Sequence, residues 1–302
     1  MSHVESVTAA LTTLPQSRIA RHCVCCGSTR LDSSPAILMP FVAHRVFDWA
    51  PIVIDDSWGL RSIRHGQAYS ICKTLECLDC GHLFLDIRFA DDEMARLYED
   101  YRGESYTRLR EHYEPGYASR NARLNAGIRH VSAIEDFLRS HLSMPPRILD
   151  WGGDTGKNTP FATHNRAFDI FDISNKDVIP GARNVTLPET IGRTYDLVVC
   201  SQVLEHIPYP SVLLTQIRQV MTPDTVLYVE VPFEEVVRLH PTGARHHKRH
   251  WHEHVNFFTR RSISSLLEQS GFRVVDLQVL EIGSEAASVN VFQAACKLMA
   301  PL

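Results

Sequence analysis

The sequence predicts an α/β protein: a mostly parallel, seven-stranded sheet with helices on both faces, preceded by a small cysteine-rich unit and a helical linker. Three observations predict it. From Arg147 onward, apolar strand candidates alternate with helical segments, the pattern of strands joined by crossover helices. Six of the eight cysteines fall between Cys23 and Cys80. Between these regions, residues 91–143 carry apolar side chains at helical spacing and end at Met144-Pro145-Pro146, a helix-breaking sequence. The expected organisation is a loose tail over 1–20, a cysteine-rich domain over 21–90, a helical linker or lid over 91–143 and the sheet domain over 144–302.

Composition bounds the partners. With 302 residues, 44% apolar and 22% charged, the chain has ordinary globular composition. A formal charge of −4 lacks the basic footprint of a nucleic-acid binder, apart from the local run Arg245-His246-His247-Lys248-Arg249-His250. No apolar run reaches the ~20 residues that span a bilayer, and residues 1–20 have no secretory apolar core. A cytoplasmic protein with no membrane partner is expected, and a homo-oligomer is compatible with the composition.

In a reducing cytosol the cysteines should not form disulfides, so their clustering reads as metal binding. Cys23-Val24-Cys25-Cys26-Gly27 and Cys77-Leu78-Asp79-Cys80-Gly81 each contain Cys-x-x-Cys-Gly. One such unit grips a cation with two thiolates while its glycine permits the tight turn. Two units supply the four sulfurs of tetrahedral Zn²⁺. Cys23, Cys26, Cys77 and Cys80 are the expected ligands. Cys25 competes with Cys23 for register, and Cys72, His22 and His82 are bystanders. A redox Cys-x-x-Cys is the rival reading. A closed four-sulfur site has no open catalytic position; its expected role is to fold a unit too small to bury enough surface.

In the linker, Asp91 or Asp92 is placed to cap a helix through Met94, Leu97 and Tyr98. Leu124, Ile128, Val131, Ile134, Phe137 and Leu138 argue for one long helix over about 118–141. Residues 98–121 are dense in Tyr and Arg, including Tyr101, Tyr106, Arg108, Arg110 and Tyr117. They read either as a lid holding a phosphate-bearing ligand or as a solvated linker. Strands are expected at 147–151, 167–171, 184–187, 195–200, 226–231, 273–279 and 289–294. Helices are expected at 211–221, after Pro210, and at 260–270, between a Thr259 cap and a Gly271 stop.

The segment Ile148-Leu149-Asp150-Trp151-Gly152-Gly153-Asp154-Thr155-Gly156 is an apolar strand that ends in an acid and enters a glycine-rich turn. A ligand that must approach backbone N–H groups closely excludes a Cβ, and a following helix N-terminus is expected to receive its polar groups. About 22 residues on, Phe168-Asp169-Ile170-Phe171-Asp172-Ile173 ends a second strand in an acid able to accept both hydroxyls of a ribose.

These motifs resemble those of class I S-adenosylmethionine-dependent methyltransferases, whose first strand leads into Asp/Glu-x-Gly-x-Gly-x-Gly. Asp150, Gly152 and Gly156 match; Asp154 stands where the middle glycine is usual, with Gly153 expected to supply the flexibility. The likeness continues through Tyr195-Asp196-Leu197-Val198-Val199-Cys200-Ser201-Gln202-Val203-Leu204-Glu205-His206-Ile207, similar to the family's fourth strand and the Leu-Glu-His stretch after it. Met221-Thr222-Pro223-Asp224 then leads into a fifth strand, and the likeness spans residues 147–296. It implies a Rossmann-like sheet that binds S-adenosylmethionine along Trp151, Gly152, Gly153, Asp154 and Gly156. Asp150 is expected to orient the turn or meet the methionine amine. Asp172, beside Ile173, would hold the ribose, with Asp169 the alternative one register out. Leu187 would line the adenine side, and Ser201 and Gln202 the sulfonium end. A nicotinamide site is the competing reading, but the turn lacks Gly-x-Gly-x-x-Gly.

The paired Cys-x-x-Cys units resemble the N-terminal zinc-binding domain of bacterial sugar C-methyltransferases. There too an apolar strand and an acidic helix follow the second unit, as in Cys80-Gly81-His82-Leu83-Phe84-Leu85-Asp86 and Asp91-Asp92-Glu93-Met94. The extra C-terminal domain those enzymes carry is not expected within these 302 residues. Trp251-His252-Glu253-His254-Val255-Asn256-Phe257-Phe258-Thr259 resembles their Glu-His-x-x-x-Phe-Ser/Thr segment, where a histidine near the acceptor serves as base. This implies His254 as base with Glu253 beside it. By position, His206 after the fourth strand is expected to line the pocket, and Glu230 at a strand end to bind acceptor hydroxyls. The bland alternative makes His254 a helix cap or core filler. The implied function is methyl transfer to a small-molecule acceptor: a nucleotide-linked sugar, a glycan or a secondary metabolite. The alternatives are an RNA methyltransferase that grips substrate with its zinc domain and a non-catalytic binding module on the same scaffold.

Overall fold

The computed structural model describes residues 17–49, 72–125, 130–174, 176–284 and 287–300. The expected tail through residue 16 and Ile128 of the expected long helix lie outside them. In chain order the elements are β1 (Leu31–Leu38), α1 (Pro40–Phe47), β2 (Cys72–Cys77), β3 (Leu83–Leu85), α2 (Asp91–Tyr98), α3 (Glu104–Tyr113), α4 (Tyr117–Asn125) and α5 (Val131–Arg139). There follow β4 (Arg147–Trp151), β5 (Ala167–Phe171), β6 (Arg183–Asn184), α6 (Leu187–Thr190), β7 (Leu197–Ser201), α7 (Pro210–Gln219), β8 (Val226–Pro232) and α8 (Glu235–Leu239). The chain continues through β9 (His250–Trp251), β10 (Asn256–Phe257), α9 (Arg260–Gln269), β11 (Phe272–Ser284) and β12 (Ala287–Leu298).

The large sheet has seven strands in the order β11-β12-β8-β7-β4-β5-β6. Strands β8, β7, β4, β5 and β6 run parallel, and β12 pairs antiparallel with both β8 and β11. The central strands β4 and β7 are buried along nearly their full length, as expected for strands covered on both faces. The chain leaves β4 toward β5 and β6 on one side and returns to β7 and β8 on the other. That reversal opens a crevice at the carboxyl ends of β4, β5 and β7, the usual ligand position in such sheets.

The smaller sheet has the order β10-β3-β2-β1-β9. Burial of Ser34, Ala36 and Leu38 follows the two-residue period of a strand with one face inward. Its two edge strands come from much later in the chain. β9 pairs parallel with β1 and β10 antiparallel with β3, so residues 250–257 are clamped at both ends by the cysteine-rich half.

Several expected elements shift. The helix expected over 118–141 is two helices, α4 and α5, with the poor helix former Gly127 between them in sequence. The strand expected over 184–187 stops at Asn184. Thr186 and Glu189 instead form a reciprocal capping box around Pro188 that starts α6. Asp91 and Asp92 lie in the first turn of α2 and do not cap it; Glu93 reaches back to the Ala90 N–H at 2.8 Å. Thr259 caps α9, accepting from the Ser262 N–H, and Gly271 follows with φ +84°.

Arg88 ties the smaller sheet to the loop that follows β7. Only 1% exposed, its guanidinium donates to the carbonyls of Leu85, Pro208 and Val255 and to Asn256 Oδ1. Arg88→Met is expected to leave those carbonyls unpaired and lower unfolding stability by about 3 kcal/mol or more. Urea unfolding of both proteins checks this, and a loss under about 1 kcal/mol contradicts it.

Candidate functional site

The turn after β4 is shaped by close approaches. Gly152 has φ +84°, its N–H donates to Phe171 O at 2.8 Å, and a Cβ there would stand 2.6 Å from Val203 Cγ2. Gly156 has φ +83°, and a Cβ there would stand 2.6 Å from Ile170 Cδ1. The expectation that Gly153 compensates for Asp154 is corrected. Asp154 itself adopts the left-handed conformation, φ +51°, which aspartate tolerates better than most residues. Gly153 is not left-handed; its missing Cβ makes room for the Asp150 carboxylate, which would lie 2.6 Å away. The helix expected next is also absent. Residues 152–165 run in turns, with Thr159 drawn inward to donate its hydroxyl to Asp150 Oδ2.

Asp172 organises this turn. Its Oδ2 accepts the Asp154 N–H at 2.9 Å and its Oδ1 the Ser174 N–H at 2.7 Å, while Lys176 pairs with Asp154 at 2.8 Å. Asp169 points elsewhere, accepting from Arg183, Arg193 and Tyr195 at 2.7–2.8 Å. It is spent on the fold. Asp150 is buried, and burial pushes its pKa up to about 7; the Thr159 hydroxyl opposes this and the Asp172 charge adds to it. Trp151 is buried, Leu187 is half-buried at the start of α6, and Ile173 stands 73% exposed beside Asp172.

At the end of β7, Ser201 and Gln202 both donate to Glu230 Oε1 at 3.0 Å, and Gln202 takes φ +57°. Glu230 is fully buried and also accepts from Tyr228 at 2.8 Å. It is thereby committed to joining β7 to β8, unlike the expected contact with acceptor hydroxyls.

Four residues beyond Gln202 the chain reaches His206, whose ring lies 4.5 Å from that of His254 at 83°. His206 Nδ1 lies 2.7 Å from Tyr98 Oη and 3.2 Å from Glu253 O, and His254 Nδ1 lies 3.0 Å from Glu234 Oε1. Burial, reinforced by His254, pushes the His206 pKa down to about 3. Burial also opposes charge on His254, but the Glu234 hydrogen bond and the charges of Glu205 and Glu253 outweigh it and raise its pKa. Glu253 is not free. Against the burial penalty, Arg110 at 2.7 Å and His254 hold its pKa down to about 2. Arg110 is itself buried, with Glu114 at 3.0 Å and the Tyr117 ring under its guanidinium at 4.3 Å. This part of the linker is therefore neither a solvated helix nor a free phosphate grip.

The sulfurs of Cys23, Cys26, Cys77 and Cys80 converge: Cys23 to Cys80 is 3.6 Å and Cys26 to Cys77 is 3.5 Å. Zn–S bonds of 2.3 Å in a tetrahedron require edges of about 3.8 Å, so the set fits that ion. Cys25, Cys72 and His82 lie outside it. Among the described residues, Glu205 and Glu234 are site components that the sequence reading did not single out. Glu205 sits inside the Leu-Glu-His run, where an acid after two apolar residues was the available signal. Nothing in the sequence marks Glu234.

Residues 111–277, more than half of the chain, match a family model described as a methyltransferase domain. The C-methyltransferase NovU of Streptomyces niveus is 27% identical over 153 residues, 49% of this chain and 32% of that protein. The match thus spans about a third of that relative's length. Among solved structures, the Burkholderia thailandensis 1,6-didemethyltoxoflavin-N1-methyltransferase, with bound 1,6-didemethyltoxoflavin and S-adenosylhomocysteine, is 17% identical. It covers 78% of this chain and 99% of that one, with a TM-score of 0.50. A Leishmania major S-adenosylmethionine-dependent methyltransferase is 15% identical and covers 55% of this chain and 71% of that one, with a TM-score of 0.43.

The buried Asp150 carboxyl implies a pH effect. Below the ordinary carboxylate range it is protonated in both folded and unfolded chains and changes nothing. Between that range and about pH 7 the native group keeps a proton the unfolded chain has lost, so stability falls as pH rises. Above about 7 the full cost is present. Asp172 and the Cys200 thiol are the titratable groups facing it. Asp150→Asn is expected to raise Tm by several degrees at pH 8 and by much less at pH 5.5. Calorimetric scans at both pH values check this, and a gain that does not grow with pH contradicts it.

Proposed function

The chain belongs to the methyltransferase-domain family, and from that premise we propose that it binds S-adenosylmethionine at the turn after β4 and methylates a small polar acceptor. One observation carries the reading. Gly152 lies so close to Val203 that the cofactor turn is in direct contact with the segment bearing His206. A methyl donor and an acceptor held by these two segments would be neighbours, and methyl transfer depends above all on such alignment.

The residues suit their roles. Both Asp172 oxygens have lone pairs beyond their single backbone contacts, which a ribose diol can fill. Exposed Ile173 and half-buried Leu187 offer apolar surface for adenine, and the backbone of Trp151, Gly152, Gly153, Asp154 and Gly156 offers polar contacts beside Asp150. Ser201 and Gln202 stand at the end toward the acceptor. Bound there, S-adenosylmethionine supplies an electrophilic methyl group. On the acceptor side, His254 and His206 assist loss of the acceptor's proton, and Glu253, neutralised by Arg110, keeps their loop in place.

The resemblance at residues 253–257 supports a nucleotide-linked sugar, glycan or secondary metabolite as acceptor. RNA is disfavoured because two of the three Lys and Arg side chains of the basic run are engaged within the fold, leaving only Arg249 exposed. Arg245 pairs with Glu76 and Asp32 at 3.0 Å, and Lys248 lies over the Trp251 and Phe257 rings. In the cysteine-rich half, Cys23, Cys26, Cys77 and Cys80 fit a structural Zn²⁺.

Titration calorimetry with S-adenosylmethionine tests the cofactor reading; absence of binding removes it. Asp172→Ala is expected to weaken binding at least tenfold. His254→Ala is expected to keep the cofactor affinity while lowering turnover about 100-fold or more once an acceptor is in hand. For the zinc reading, prolonged chelation is expected to release one Zn²⁺ per chain from the cysteine set and to lower Tm sharply. A protein whose Tm is unchanged by full loss of metal would contradict a structural role.

A further inference from the structure

Glu205, His206 and His254 each place one metal-type donor atom within 4.8 Å of the other two. Glu205 is 1% exposed, and among the described residues neither of its carboxylate oxygens has a hydrogen-bond partner. A buried carboxylate left in that state is costly, and its closest cationic-type neighbour is His206 Nε2 at 3.9 Å from Oε1. Both imidazoles are held from the opposite side. His206 Nδ1 is engaged by Tyr98 and by the Glu253 carbonyl, and His254 Nδ1 by the Glu234 carboxylate. The Nε2 atoms are left as the available donors. Fixing one ring nitrogen on a carbonyl or carboxylate is how proteins orient histidines that bind metal through the other.

We propose that Glu205, His206 and His254 bind a divalent transition-metal cation, with the carboxylate and the two Nε2 atoms as ligands and the remaining positions open to oxygen atoms of the acceptor. The acceptor role rests on the methyl-transfer reading and deepens it: the help that the histidines give to proton loss comes through an ion that acidifies a bound hydroxyl. Two imidazoles and one carboxylate favour Zn²⁺, Co²⁺, Fe²⁺ or Ni²⁺ over Mg²⁺ or Ca²⁺. Bonds of about 2.1 Å set ligand atoms roughly 3.4 Å apart, so side-chain rotations of under an ångström per donor close the set. This site differs from the cysteine cluster in having three ligands instead of four, in using no sulfur, and in lying beside the segment that Gly152 touches.

Co²⁺ is the probe, because thiolate ligation announces itself by sulfur-to-metal charge transfer that nitrogen and oxygen ligands lack. Purified protein with zinc in its cysteine site is titrated with Co²⁺ and followed by visible absorption. The expected result is one Co²⁺ per chain with ligand-field bands and no added thiolate charge transfer. Glu205→Gln and His254→Ala should weaken that binding at least 100-fold. Glu234→Gln should weaken it about tenfold, since it removes only the orienting contact. Circular dichroism establishes that each variant is folded, and Glu205→Gln, nearly isosteric, serves if His254→Ala is not. No such bands in the wild type, or equal affinity in folded Glu205→Gln, overturns the proposal. S-adenosylmethionine calorimetry on the same samples separates the two readings. Co²⁺ binding without cofactor binding sinks methyl transfer and keeps the cation site; the reverse sinks the cation site alone.

Discussion

Asn256, 1% exposed, spends its whole side-chain amide on joining three parts of the molecule. Its Oδ1 accepts from Arg88, and its Nδ2 donates to the carbonyls of Leu204 and Ile207 at 3.0 and 2.6 Å. Its backbone N–H and that of Val255 both donate to the Glu205 carbonyl. The same residue opens β10, which adds to β3 of the cysteine-rich sheet. The segment bearing Glu205 and His206 is therefore bonded to the segment bearing His254 by backbone and amide contacts that water cannot easily replace. The 4.5 Å separation of the two imidazoles follows from this joint. So does the position of Glu253, which Arg110 then reaches from α3.

Charge is distributed around that joint in a consistent way. Glu253 has a dedicated cation in Arg110 and stays ionised, its pKa held down to about 2. Glu205 has no such partner, and burial pushes its pKa up to about 7 despite the nearby His254. Two glutamates near the same pair of histidines thus have opposite characters. The difference comes from an arginine 143 residues earlier in the chain than Glu253. The linker helices contribute electrostatics to the surroundings of the His206–His254 pair as well as cover. Tyr106 and Tyr117 shield the Arg110–Glu253 pair from water, which strengthens it.

Much of this was legible in the sequence, because strongly patterned pieces depend on local chemistry. The apolar runs of β4, β5, β7 and β8, the Thr259 cap and the two Cys-x-x-Cys-Gly units each carry a period or spacing that few other structures satisfy. Three things escaped for identifiable reasons. β9 and β10 are two residues long and have no period to detect; tertiary pairing alone makes them strands. The segment after Gly156 lacks a helix because Thr159 turns inward to Asp150, a contact that the glycine pattern does not encode. The commitment of Asp169 to Arg183, Arg193 and Tyr195, and of Glu230 to Ser201, Gln202 and Tyr228, depends on neighbours distant in sequence. An acid at a strand end looks the same in sequence whether it faces a ligand or an arginine.

The placement of the cysteine cluster bears on what its folding role accomplishes. Thr259, the cap of α9, donates to the carbonyl of Cys80 at 2.7 Å, and a Cβ on Gly81 would press on the same threonine at 3.2 Å. Trp251, fully buried, donates to Thr74 on β2 at 2.8 Å. Residues 251–259 are thus anchored at their start by β2, in the middle by β3 and Arg88, and at their end by the second cysteine turn. The shape of the turn after β4 is set by other residues, Asp172, Val203 and Ile170. Loosening the cysteine sheet would therefore act first on the position of His254 and only afterwards on the turn after β4. A cation held by four sulfurs, with no open coordination position, would still govern the position of His254 by fixing the frame to which that loop is tied.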